Sequence, residues 1–304
     1  MPQTGTARPA AYPQHLGDIA SPESAPDPGA LEQPVELRIL ASGSAGNCSI
    51  LVRGAGRFRR LTMIDCGLSP LRTRRLLAQL GLGFEHVDDI LVTHLDSDHF
   101  HTGWTRALPR HARLRLHTRH LRRAAREGLD TSRIEFFDTP FSLPAGVTVE
   151  PTLLEHDEWG VVTFRFSLPS ITGSEASLGY ATDIGRITPR LIKALGAVDV
   201  LAIESNYCPT LQLASDRPVF LKNRIMGGAG HLSNDQCASV VRQIAPRRSV
   251  VLLHLSRQCN TPALASAAHH GAPYELTITS QTEPAGPVIV RGPCPRLQRP
   301  TLRS

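Results

Sequence analysis

The chain has 304 residues, two-fifths of them hydrophobic, with a formal net charge of +6 and a pI near 9.3. That length allows one large domain or two small ones. No apolar run approaches the roughly 20 residues of a membrane span, and the N-terminus lacks both a basic n-region and an apolar h-region, which points away from membrane and secreted proteins.

The six cysteines, Cys48, Cys66, Cys208, Cys237, Cys259 and Cys294, are scattered and form no Cys-x-x-Cys pair. In a chain this long that pattern reads as reduced thiols in the cytoplasm, so any metal is held by histidine and carboxylate. The basic balance suits a polyanionic partner. Most of the excess is arginine, however, which a genomic bias also produces, so charge alone weighs little.

Residues 1–33 are rich in Pro, Ala, Gly and Ser and read as a disordered leader. The fold is expected over 34–291, with a frayed Pro- and Arg-rich tail over 292–304. Val35 to Leu40 alternates as a strand does. Ser42-Gly43-Ser44-Ala45-Gly46-Asn47-Cys48 is a small-residue turn. It reads either as a phosphate cradle of backbone N–H groups or as a tight hairpin. Strands follow over Cys48–Val52 and Leu61–Ile64, with Arg57 to Arg60 in the turn between them. Asp65 ends the second strand, either as a brace for a ligand histidine or as a cap. Leu71 to Leu80 reads as a helix stopped by Gly81 and Gly83.

The apolar run Ile90-Leu91-Val92 then leads into Thr93-His94-Leu95-Asp96-Ser97-Asp98-His99. Two His and two Asp within six residues supply the mixed nitrogen and oxygen donors that a divalent cation takes. Without a cation such crowded carboxylates repel one another. The bland reading is a solvated polar turn. An amphipathic segment from about Phe100 is expected to leave the cluster as a helix.

Residues 106–126 carry eight arginines, Arg106 to Arg126, interleaved with His111, His117 and His120. They read equally as a positive rim for phosphates or as a solvated helix face. A strand over Leu114–His117 and a helix over Arg119–Glu127 fit this stretch. Strands are expected near Ile134–Phe137, Val147–Leu154 and Val161–Phe166, with Glu155-His156-Asp157 at the end of the second. Leu178 to Thr182 runs into Asp183. A helix over Pro189–Leu195 precedes a strand over Val198–Ile203, which ends at Glu204-Ser205-Asn206.

A basic, partly helical segment over 210–226 includes Arg217, Lys222 and Arg224. Gly230-His231-Leu232-Ser233-Asn234 opens another helix, capped by Ser233 or Asn234. Strand Val250–Leu253 ends at His254, and one helix and one or two weak strands complete the chain. Strands thus end repeatedly in His, Asp or Glu, which gathers polar groups at one edge of packed sheets.

Four stretches carry a family resemblance: Ser42 to Cys48, Thr93 to His99, Ala202-Ile203-Glu204-Ser205-Asn206, and Gly230 to Asn234. His254-Leu255-Ser256 with Asn260 adds to them. From about residue 35 to 280 the chain resembles the metallo-β-lactamase fold hydrolases, in particular their YycJ/WalJ-like branch, which is related to ribonuclease Z and the β-CASP nucleases. The resemblance implies an α/β fold, a four-layer αβ/βα sandwich with two mixed sheets packed face to face. It also implies two divalent metal ions, manganese or zinc, with iron a further option. By position, His94, Asp96 and His156 would hold the first and Asp98, His99 and His254 the second, with Asp183 bridging.

The family has His where this chain has Asp96. An oxygen donor there favours manganese or iron over zinc, and the change could also leave a one-metal enzyme. By similarity to ribonuclease Z, Glu204 and His231 form a proton-donating pair, with His231 not a ligand. The long basic arm of ribonuclease Z has no counterpart, so tRNA processing is not implied. The branch is associated with exonuclease activity on DNA. The reading that follows is metal-assisted phosphodiester hydrolysis of nucleic acid, DNA above RNA. Asp98 orients water, His231 and Glu204 donate the proton, and Ser44, Gly46, Asn47 and Asn206 contact substrate. The rival readings are a hydrolase of a small phosphodiester, lactone or thioester, and a degenerate fold that only binds.

Overall fold

A computed structural model describes residues 35–156, 158–169, 175–228 and 230–291. The expected leader and tail, Cys294 and Asp157 lie outside the described residues.

Two seven-stranded sheets pack face to face. The first runs β14(Ala285–Val290), β1(Val35–Ala41), β2(Cys48–Arg53), β3(Arg60–Ile64), β4(Val87–Val92), β5(Arg113–His117), β6(Ile134–Phe137). The second runs β13(Glu275–Ile278), β12(Ser249–Leu253), β11(Val200–Glu204), β10(Ala176–Ala181), β9(Val161–Leu168), β8(Val147–Leu154), β7(Phe141–Leu143). The four-layer sandwich expected from the resemblance is the architecture found.

Strand period decides the layers. In β4, Leu91 faces the second sheet while Ile90 and Val92 face outward. In β12, Val251 and Leu253 point inward while Val250 and Leu252 point outward. Both faces of these strands are apolar because both are covered, as strands buried in mixed and parallel sheets require. The inner layer packs Leu37, Ile39, Leu51 and Ile64 against Phe164, Phe166 and Tyr180. Outside the first sheet lie α1(Pro70–Gln79), α2(Trp104–Ala107) and α3(Leu121–Arg126), anchored by Leu77, Trp104 and Ala124. Outside the second lie α4(Pro189–Leu195), α7(Asn234–Ile244) and α8(Pro262–Ala267), anchored by residues such as Leu191, Val240, Val241 and Ala265. Truncating any of these fully buried leucines to alanine costs about 2–5 kcal/mol.

Helix ends follow their sequence signals. Ser69 caps α1 with Pro70 at its first position, and Ser233 with Gln236 forms a capping box on α7.

One expectation is corrected, and two strands lie beyond what the sequence reading placed. The helix expected from Phe100 is a series of turns and the four-residue α2 over Trp104–Ala107, hemmed between Gly103 and Pro109. Strand β7 over Phe141–Leu143 falls in a stretch too short to show a period, and it exists by pairing with β8. The last strand, β14, crosses to the first sheet and pairs with β1, a long-range choice that local sequence does not encode.

The topology also fixes where a site can form. Strands β3 and β4 are parallel, as are β10, β11 and β12. Their C-terminal ends therefore lie along one edge, where open α/β sheets place their sites. No described helix is long and apolar enough to cross a membrane.

Candidate metal centre

His94 follows β4 directly. A tight turn, in which the Asp96 carbonyl accepts from the backbone N–H groups of both His99 and Phe100 at 2.8 Å, brings Asp96, Asp98 and His99 to the same edge. His156 follows β8, Asp183 follows β10, Glu204 ends β11 and His254 follows β12. Among the described residues five non-glycines have positive φ, and three of them are Asp65, Asp183 and His254. Each sits just past a strand end, so the left-handed turn redirects its side chain, at a cost of about 1–3 kcal/mol that the surroundings must hold.

All seven side chains expected as metal ligands converge. His94, Asp96 and His156 form one group of donor atoms within 4.8 Å of one another, and Asp98, His99 and His254 form a second. Asp183 lies between them. Its carboxylate is 2.5 Å from His99 Nε2, 3.0 Å from His254 Nδ1 and 3.7 Å from His94 Nε2. A further group, Asp183, Glu204, His231 and His254, also falls within ligand distance.

The donor set fits divalent cations. His99 Nδ1 donates to Asp65 at 2.7 Å, and Nε2 faces Asp183 and Asp98. Those two carboxylates need positive charge beside Nε2, supplied by a proton or by a cation lying among them. His94 Nε2 and both Asp183 oxygens are buried without a well-formed hydrogen bond, a state that buried polar atoms avoid unless a ligand takes them.

The electrostatics agree. Burial pulls the His99 and His254 pKa values down, but the carboxylates around them, Asp183 foremost, raise both well above the usual imidazole range. Burial would raise Asp183, yet His254 and His99 hold it well below the carboxylate range. Burial keeps His156 below its ordinary value, which leaves a neutral imidazole suited to coordination.

The second group stands in a rigid frame. Asp65 is fully buried and accepts from Thr93 N, Thr93 Oγ1 and His99 Nδ1. Of the two roles open to it in the sequence, the brace is the one observed. Asn47 accepts from Gly43 N at 2.8 Å, while its backbone N–H and its side-chain amide donate to the Asp98 carbonyl at 2.7 and 3.2 Å. Gly67 lies under that carbonyl, and a Cβ built there would stand 1.8 Å from Asp98 O. Asn206 Nδ2 donates to the His254 carbonyl at 2.7 Å, and His254 N donates to Ser42 Oγ at 2.8 Å.

These contacts correct the expected substrate contacts. Asn47 and Asn206 are each 2% exposed and their amides serve the metal loops. Gly46 is buried against Gly67. Ser44 alone of the four is exposed, and it lines the site cavity with Asp96, Asp98, His156, Asp183, Arg224, His231 and His254 among others.

The first group is held differently. Arg123 Nη2 donates to Asp96 Oδ1 at 2.8 Å, and Arg123 also pairs with Glu127 one turn on. The His94 contact and then Arg123 hold Asp96 below the ordinary carboxylate pKa. Asp96 Oδ2 is thereby turned toward His94 at 3.7 Å and His156 at 4.0 Å. Arg123 was visible in the sequence only as one of many arginines. The helical Arg123/Glu127 spacing was the signal that it is fixed. Of the two readings open for 106–126, several arginines are withdrawn from a rim, while Arg106, Arg110 and Arg122 stay exposed. Arg113 and Arg115 pair with the buried Asp89, Arg119 binds the Glu158 carbonyl, and Arg126 stacks over Trp159.

His231 lies outside both triads. Its Nδ1 is 2.9 Å from Asp183 Oδ1 and 3.1 Å from Glu204 Oε2. Glu204 is fully buried and also accepts from Asp183 N and Leu232 N. Burial opposes protonation of His231, but these two carboxylates raise its pKa to about 9.

A family profile described as the beta-lactamase superfamily domain matches residues 60–255. Exodeoxyribonuclease WalJ of Streptococcus pneumoniae is 29% identical over 236 residues, which covers 75% of this chain and 84% of that protein. Exodeoxyribonuclease YycJ of Bacillus anthracis is 26% identical over 238 residues, covering 76% and 86%. The crystal structure of the metallo-β-lactamase fold protein YhfI from Bacillus subtilis superposes with a TM-score of 0.61 at 13% identity, over 84% of this chain and all of that one, a likeness of fold. With well over half of the chain under one profile and the same two-sheet sandwich beneath it, the protein belongs to the metallo-β-lactamase superfamily of metal-dependent hydrolases.

Proposed function

We propose that the protein is a manganese- or iron-dependent phosphodiesterase that degrades DNA as an exonuclease. The observation that carries this reading is His231, an imidazole outside both ligand triads, with Nδ1 fixed by Glu204 and Asp183 at the wall of the cavity that Asp98 also lines. A thioester expels a weakly basic thiolate and needs no such proton donor, whereas a phosphodiester expels an alkoxide that does. The two curated relatives named as exodeoxyribonucleases support DNA as the substrate.

His94, Asp96 and His156 would hold one cation, Asp98, His99 and His254 the other, with Asp183 shared. Bound there, divalent cations supply Lewis acidity, which lowers the pKa of a water and takes up charge on the phosphoryl group. Asp98 orients the attacking water from the cavity wall. His231, kept protonated by Glu204, donates through its other ring nitrogen to the departing oxygen. Ser44 is the glycine-turn residue left to meet the substrate. The Asp96 oxygen favours manganese or iron over zinc.

The test combines elemental analysis with cleavage of end-labelled single- and double-stranded DNA in manganese. His231→Ala should lower turnover about 10²–10⁴-fold with metal content unchanged. Loss of metal in that variant would make His231 a ligand instead. Absence of metal-dependent cleavage in the unmodified protein would sink the reading.

A further inference from the structure

Between Asn206 and His231 the chain forms a helical hairpin, α5(Pro209–Ala214) and α6(Val219–Met226). Both of its ends are tied to the metal loops. Cys208 N donates to the Cys259 carbonyl at 2.8 Å, Tyr207 bridges to Ser233, and His231 N donates to the Ile225 carbonyl at 3.2 Å. Beneath it Tyr207, Ile225 and Cys259 form a small core, with Leu211, Leu221 and Met226 packed around them. Gly230 permits that approach, since a Cβ there would stand 2.5 Å from Ile225 Cα. The hairpin is therefore a fixed part of the site wall.

Its outer surface is apolar and bare. Leu213, Val219 and Phe220 are 61%, 71% and 75% exposed, and the last two are the most exposed large hydrophobics among the described residues. Phe220 stands one helical turn from Arg224, so the two share a face. Arg224 lines the site cavity beside Asp98 and His231. Ser44 also borders a neighbouring cleft of about 500 Å³, whose other walls are Ala45, Arg217, Ser256, Arg257 and Gln258.

The charges along this path are uncompensated. Arg217 is held by neutral oxygens only, those of Gln258 at 3.0 Å, Gln212 at 3.0 Å and Ser256 at 3.3 Å. Among the described residues no carboxylate lies within salt-bridge distance of Arg217, Arg224 or Arg257, whereas Arg60, Arg113, Arg115 and Arg123 are all paired. The single acid of the hairpin is Asp216, itself exposed. An arginine oriented by neutral acceptors keeps its charge for an anion.

We infer that the hairpin and the adjoining cleft form the platform that receives single-stranded DNA, with a base stacked on Phe220 and phosphates gripped by Arg224, Arg217 and Arg257. The inference rests on the proposed DNA reading and adds strand type and the residues that select it. A duplex hides its base faces in its own stack and has no use for Phe220. A single strand offers both faces and phosphates, which is the pairing of aromatic and arginine found here. Continuity with the metal cavity through Arg224 and Ser44 favours the substrate strand over a protein partner.

The test measures fluorescence anisotropy of a labelled, non-hydrolysable phosphorothioate oligothymidylate with the full chain in manganese. Phe220→Ala should weaken binding about tenfold, Phe220→Trp should restore it and Phe220→Leu should not. Arg217→Gln and Arg257→Gln should each reduce the slope of log affinity against log salt by about 0.7. Phe220 is exposed, so the variants keep the fold, which thermal melting checks. Unchanged affinity in Phe220→Ala, or rescue by leucine, overturns the inference. A dimer in the unmodified protein that Phe220→Ala converts to monomer also overturns it, in favour of a second copy on this face. Cleavage by the unmodified protein is scored separately, so strand binding without cleavage would sink the catalytic reading alone, and cleavage with unchanged Phe220→Ala binding the platform alone.

Discussion

Asp98, His99 and His254 stand in a frame of buried hydrogen bonds, from Asp65, Asn47, Asn206 and Ser42, built almost entirely of short side chains and backbone. Among the described residues Asp96 and His156 have no such frame. Asp96 is about a third exposed and is steadied by one long side chain, Arg123, while His156 sits beyond the end of β8. The two halves of one centre therefore differ in what holds them. A frame of short buried groups loses little freedom when a ligand arrives, whereas a half-site hung on an arginine has more to order. The second half is expected to bind tightly and the first to be the adjustable one.

The largest effect expected from this contrast comes from the frame. Gly67→Ala would drive a methyl into the Asp98 carbonyl, so the loop carrying Asp98 and His99 must shift. We expect a stability loss of about 2–3 kcal/mol and loss of the tighter divalent-cation site, read by thermal melting and by calorimetric titration. Retention of both would show that the frame does not set affinity.

Next in size is Arg123→Ala. It frees Asp96 to rotate and leaves His94 as the main remaining partner of its charge. Affinity for the weaker ion should fall about 10–100-fold, the usual consequence of removing a group that orients a ligand. The tighter ion should stay, with metal stoichiometry per chain as the readout. If both ions leave together, the halves are one coupled unit and the distinction drawn here is wrong.

The smallest effect is the most direct report on rigidity. Cys48 and Cys66 lie under the second half-site, and burial pushes both thiols well above their ordinary pKa. Removing metal with a chelator should leave them unreactive to iodoacetamide, by mass spectrometry, because the frame is made of protein contacts. Rapid alkylation after chelation would mean that the ions hold that half together.

The site was far more legible than the surface around it. The cluster from Thr93 to His99 could be read from its donor chemistry after an apolar strand, while the full set of seven ligands came from the family resemblance by position. What Asn47, Asn206 and Gly46 do could not be read that way. Their contacts run to residues that are distant in sequence, from Asn47 to Asp98 and from Asn206 to His254, and an amide beside a site reads equally as a substrate contact or a brace. The arginines were ambiguous for the same reason. Those over 106–126 read equally as a rim or as a solvated face, and which of them Asp89 and Asp96 claim depends on the fold.

By itself, then, the sequence determined the strands, most helices and the cluster of donors at strand ends, because period, capping residues and donor type are local properties, while the sandwich class came from the family resemblance. Only the tertiary structure decided which polar residues face the cavity, which arginines keep their charge and why Asp96 can stand where a histidine was expected. Those are matters of which groups meet, and Arg123 reaches Asp96 only because α3 is folded back over the first sheet beside the end of β4.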